Sequence, residues 1–183
     1  MPVTALDPTT ALIVVDLQAG LTTRPTVHPF DDVVANAARL ADAFRAKKRP
    51  VVLVNVAGGA PGRTERGGGR RREFPDGWTD LLPELNQQPG DKVVTKRTWG
   101  AFHHTDLAAH LADLGVTQVV IAGVSTSSGV ESTARQAYEH GLHVTLATDA
   151  MTDLSPAAHH NSITEIFPKL GETGTTGDIL ALL

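Results

Sequence analysis

Three places in the chain pair chemical capability with a position that a ligand can reach: Asp16, Lys96 and the turn Ser125–Gly129. Asp16 closes the unbroken apolar run Ala11-Leu-Ile-Val-Val, and Lys96 closes Asp91-Lys-Val-Val-Thr. Between the apolar run 119–121 and a helical periodicity at Val130, Ala134, Ala137 and Tyr138 lies a small, turn-prone stretch, Gly123 to Ser128. A carboxylate beside an ammonium is ordinarily an ion pair. At the mouth of a cleft it is also an acid–base unit whose pKa values the site can tune. A sharp strand-to-helix turn presents backbone N–H groups and a positive dipole end, which suits an anion or a developing oxyanion. Most turns of this kind do no chemistry, so the turn by itself assigns no function.

The elements that must position these residues alternate. Unbroken apolar runs read as strands buried on both faces, the habit of a parallel sheet. Strands are predicted at 11–16, 51–56, 91–96, 117–122 and 143–148, the last with Asp149 at its end, and a short sixth falls within 171–176. Residues 31–48 predict an amphipathic helix burying Val33, Val34, Ala37, Leu40, Ala41 and Phe44. Trp78 and Leu81-Leu82 begin a short helical piece. Thr105 or Asp106 caps a helix that Gly115 ends, and Gly141 stops the helix after the central turn. Ser155-Pro156 opens another, running to about Phe167, and Ile179 to Leu183 form a last apolar turn. This alternation predicts an α/β fold, a parallel sheet with helices on both faces. Asp16, Lys96 and the turn then converge at the carboxyl ends of the strands, where open α/β sheets bind ligands.

At 183 residues the chain is expected to form a single domain, 1–183. A formal net charge of -4 gives no reason to expect a nucleic-acid partner. There is no cysteine, which excludes disulfides, thiolate metal sites and a thiol nucleophile. No signal peptide or membrane span is read, and a cytoplasmic location is expected. The segment from Ala57 to Trp78, with Gly67-Gly-Gly-Arg-Arg-Arg72, reads as a long surface excursion whose arginines are solvated or hold an anionic substrate. Its glycines lack the order of a phosphate-binding loop. His103-His104 and His159-His160 are read as surface or capping residues, and Glu131 and Arg135 as an i, i+4 ion pair. Asp149 is read as structural.

With those motifs in view, the chain resembles the isochorismatase-like hydrolase superfamily, which includes nicotinamidases and related amidohydrolases. The resemblance rests on Val-Val-Asp16-Leu-Gln18, Thr-Lys96-Arg-Thr-Trp-Gly-Ala-Phe102, Ala-Gly123-Val-Ser125-Thr-Ser-Ser-Gly129-Val-Glu-Ser-Thr-Ala-Arg135 and Val-Thr-Leu-Ala-Thr-Asp149-Ala. It implies a Rossmann-like three-layer αβα fold with a six-stranded parallel sheet, and a cis peptide at Val124–Ser125. The family triad is Asp–Lys–Cys. Asp16 and Lys96 match its first two members, and Gly129 stands where amidohydrolases carry the cysteine. Isochorismatases proper also have glycine there. In them the aspartate acts as general acid on a vinyl ether and water completes the hydrolysis. The tyrosine they carry at the position of Ser125, and their glutamine near Ala57, are absent here. The resemblance therefore implies a vinyl ether-like or related small-molecule substrate, and a homodimer or larger assembly. The Asp-x-His metal motif of nicotinamidases is missing, so no metal and no cofactor are expected.

Residue roles follow from this. Asp16 donates and recovers a proton, and Lys96 sets its charge state. The N–H groups of Ser125 and Gly129 form an anion pocket, with Gln18, Trp99 and Phe102 around it; core packing is an equal reading for Phe102. Two alternatives stay open. One is acyl transfer from Ser125, Ser127 or Ser128, for which no histidine base is placed in the motif. The other is a scaffold of the same fold that binds ligand without turnover.

Overall fold

The computed structural model describes residues 2–23, 25–65 and 74–183. Six parallel strands form one sheet in the order β3-β2-β1-β4-β5-β6. They are β1 (Thr10–Val15), β2 (Val51–Val56), β3 (Lys92–Lys96), β4 (Gln118–Val124), β5 (His143–Thr152) and β6 (Glu172–Gly174). The α-helices are α1 (Phe30–Ala46), α2 (Leu107–Asp113), α3 (Glu131–Glu139), α4 (Pro156–Asn161), α5 (Phe167–Leu170) and α6 (Thr176–Ala181).

Every residue of β1 and β4 is buried, as central strands covered on both faces require. Alternation splits their side chains between two layers. Ile13, Val15, Val54 and Val94 pack with Leu107 of α2, Ala134 of α3 and Phe167 of α5. Leu12, Val14 and Leu53 pack with α1 and with Ile179 of α6. The six apolar positions expected on the inner face of α1 are all buried. Gly123 has φ +112, and a Cβ there would stand 2.0 Å from the Val15 carbonyl oxygen. Only glycine lets β4 lie this close to β1.

Some boundaries differ from expectation. β5 runs on to Thr152, because its register against β4 slips between Ile121 and Gly123. Asp149 therefore lies inside β5 at the irregularity, and Asp153 follows its end. Asp149 accepts from the Thr176 N–H at 2.6 Å, a structural role at the start of α6. Trp78 lies in a turn, and only Pro83–Leu85 forms a short 3-10 helix. A five-residue π-helical turn, Thr126–Val130, precedes α3. Tyr138 of α3 is exposed, off the buried stripe of Ala134 and Ala137. Gly67–Arg72 falls outside the described residues, whereas Arg63 is exposed. Among the described residues no helix is long and apolar enough to cross a membrane.

Candidate active site

The strand order reverses between β1 and β4, and open α/β sheets bind ligands at the carboxyl ends beside such a point. Asp16 and the π-helical turn flank it. Alternation would send residue 16 to the α1 face with Leu12 and Val14. Instead Asp16 has φ 54, in the left-handed region that non-glycine residues seldom enter. Its N–H is held by the Val54 carbonyl at 2.8 Å, and its carbonyl accepts from the Gln18 N–H at 3.0 Å. So held, the carboxylate meets Lys96, whose strand neighbour Val94 lies in the opposite layer. Lys96 belongs to the edge strand β3 and lies beside Val56 in the register. Its long side chain reaches past β2.

Lys96 Nζ donates to Asp16 Oδ2 at 2.7 Å and to the Thr98 carbonyl oxygen at 3.2 Å. Both side chains are buried, at 1% and 7% exposure, so water does little to screen the pair. Asp16 Oδ1 is buried and has no hydrogen-bond partner among the described residues. Burial pushes the Asp16 carboxyl up from 3.8 to about 6, with the Lys96 charge and hydrogen bond pulling the other way.

Gly129 closes the third side. A Cβ on it would stand 3.0 Å from the Val124 carbonyl oxygen, 3.1 Å from Val15 Cγ1 and 3.2 Å from Asp16 Oδ2. The turn thus lies directly against the carboxylate, with barely room for a side chain. The Val124–Ser125 peptide is cis, as the resemblance implied. Ser125 is half-buried beside a recess of about 30 Å³ that Leu21, Thr26, Phe30 and Thr152 also line.

The outer residues take different places. Gln18 is fully buried, and its amide is committed to backbone. Nε2 donates to the Val56 and Trp78 carbonyls, and Oε1 accepts from the Val56 N–H at 2.7 Å. It fixes the end of β1 to the end of β2. Phe102 is buried in the layer of α2 and α3 and stacks on His140, which is the packing role. Trp99 is 66% exposed. Glu131 and Arg135 form the expected ion pair at 2.9 Å.

Sequence reasoning missed Asp153 and His159. Asp153 Oδ2 accepts from the Ser127 N–H at 2.7 Å and from its hydroxyl at 2.8 Å, so it caps the π-helical turn. The Ser127 hydroxyl is thereby engaged as a donor. His159, expected at the surface, is buried, with Nδ1 2.9 Å from Thr126 Oγ1 and its ring edge-on to His28. Burial and the neighbouring His28 lower its pKa. Neither carried a local signal: Asp153 lies past Asp149 and the strand end that the apolar run predicts, and the partner of His159, Thr126, is far away in sequence. Among the described residues no three histidine or acidic side chains gather closely enough to hold a metal ion.

A six-stranded parallel α/β sheet carries the buried Asp16–Lys96 ion pair at its switch point. Residues 10–178 match the Isochorismatase domain, and the chain belongs to the isochorismatase family. It is 40% identical over 177 residues to the isochorismatase family protein YwoC of Bacillus subtilis, covering 93% of this chain and 92% of that one. The family protein YecD of Escherichia coli O157:H7 is 38% identical over 181 residues, 96% of each chain. Among solved structures, an isochorismatase family protein from Burkholderia thailandensis superposes with a TM-score of 0.92 at 41% identity, covering 98% of this chain and 97% of that one.

Proposed function

We propose that the chain is a single hydrolase domain that cleaves a small vinyl ether-like substrate by acid–base chemistry, with no covalent intermediate. One observation carries the reading: the two oxygens of Asp16 have different surroundings. Oδ2 is committed to Lys96, while Oδ1 is buried and uncommitted. A carboxyl raised to about 6 still holds a proton in part near neutrality, and the free oxygen is the one that can deliver it.

Asp16 gives its proton to the terminal vinyl carbon. Water adds to the ether-bearing carbon and returns a proton to Asp16. The carbon–oxygen bond to the leaving alcohol then breaks, giving a ketone and an alcohol. Lys96 keeps the carboxylate from being stranded in a low-dielectric site once its proton has left. Gly129 supplies no nucleophile, and its lack of a side chain leaves space against Asp16. The reading includes a homodimer or larger assembly in the cytoplasm.

The experiment is turnover of isochorismate by wild type and by Asp16→Asn, followed as released pyruvate. The wild type is expected to turn over, and Asp16→Asn to lose at least about a hundredfold, the scale of one general acid. An unchanged rate in Asp16→Asn would remove Asp16 from this role.

A further inference from the structure

Among the described residues, three polar groups of Lys96, Asp16 and Thr98 have no partner. An ammonium has three N–H donors. Among the described residues Lys96 uses two of them, on Asp16 Oδ2 and on the Thr98 carbonyl. Asp16 Oδ1 is buried and unpaired, and so is Thr98 Oγ1. Such atoms are rare in folded proteins, because leaving one unmade is costly. A third, Asn55 Oδ1, stands apart from this group: its amide donates to the Thr79 carbonyl, and its neighbour Leu53 packs toward α1. Thr98 differs because its own backbone carbonyl accepts from the ammonium, which puts the residue next to the pair.

We infer that Thr98 is the positioning residue for the water that completes the hydrolysis. A buried water typically takes about three hydrogen bonds from otherwise unsatisfied polar groups. The groups here match a water in sign as well as number. The third Lys96 N–H donates to the water oxygen. The water's two hydrogens go to Thr98 Oγ1 and to Asp16 Oδ1. One lone pair then stays free to form the new bond to the ether-bearing carbon. The hydrogen facing Asp16 Oδ1 is the proton the carboxylate recovers as the water adds. This inference rests on the proposed roles of Asp16 and Lys96 and adds a residue to them.

The test is a crystal structure of the wild type at a resolution that shows waters, beside Thr98→Val and Thr98→Ser. A water is expected within about 3.2 Å of both Thr98 Oγ1 and Lys96 Nζ. It should be lost in Thr98→Val, which keeps the shape of the side chain, and kept in Thr98→Ser. With isochorismate, Thr98→Val should lower kcat roughly a hundredfold at nearly unchanged KM, as misplacing one reactant does, and Thr98→Ser should recover most of the rate. No such water in the wild type, the same water in Thr98→Val, or a rise in KM at unchanged kcat would overturn the inference. Failure of the wild type to turn over isochorismate would instead count against the proposed reaction, since the water is read from crystals without substrate.

Discussion

Asp16 is held between opposing forces. Burial favours its neutral form, and Lys96 favours the charged one. Because burial wins, the folded chain binds this proton more tightly than the unfolded chain, where the carboxyl titrates near 3.8. Unfolding therefore releases a proton between pH 3.8 and about 6. The contribution of this group to stability falls as pH rises through that window and is level above it. The full swing is about 3 kcal/mol, from roughly two pKa units. The Asp16→Asn/Lys96→Met double variant leaves no unpaired charge and should show a flatter dependence of urea midpoint on pH between about 4 and 7. Parallel profiles for the two proteins would contradict the raised pKa. The same proton predicts that kcat/KM falls as pH rises through about 6, since the acid form is the working one. Gly129 gives a second residue-scale prediction. Gly129→Ala places a methyl 3.2 Å from Asp16 Oδ2 and 3.0 Å from a backbone oxygen. It should cost about 1–3 kcal/mol in urea unfolding, as overpacking does, and lower turnover by shifting the carboxylate.

The pair is only as well placed as the strand ends that carry it. Gln18 holds the end of β1 to that of β2 through three hydrogen bonds to backbone. Asp153 holds the π-helical turn through the Ser127 N–H and hydroxyl. Asp153→Ala should cost about 1–3 kcal/mol, because it removes a cap and leaves two part-buried donors unmade. Turnover should fall with it, because the turn carries Gly129. Stability equal to wild type in chemical denaturation would show that the turn stands without this cap. These clamps were not legible in the sequence. Gln18 belongs to the motif that carries the resemblance and reads as part of the pocket, yet its bonds run to Val56 and Trp78. The apolar runs fixed where strands lie but not where they stop. The β5 irregularity moved the strand end from Thr148 to Thr152 and put Asp153, not Asp149, beside the turn. Periodicity also groups Tyr138 with Ala134 and Ala137, yet its side chain is exposed.

At the scale of the molecule, strand-like runs alternating with helices leave few arrangements, and the parallel sheet was legible for that reason. So was the convergence of Asp16 and Lys96, since both end strands that open sheets turn toward ligands. What no local pattern encodes is a balance of burial against charge, or a hydroxyl such as that of Thr98 left without a partner. Both depend on atoms that folding brings together from distant parts of the chain. Trp99 and Leu154, both largely exposed, follow β3 and β5 at the same end of the sheet. Light scattering in solution should give a mass of at least two 19.3 kDa chains, and Trp99→Asp should lower it if that surface joins them. The measurement closest to the central claim is a carbon-13 NMR titration of the Asp16 carboxyl in the wild-type protein, assigned by its loss in Asp16→Asn. An apparent pKa of about 6 is expected, the value of an acid held protonated by burial. Titration at or below 3.8 would contradict it, leaving Asp16 and Lys96 as a permanent ion pair with no proton to give.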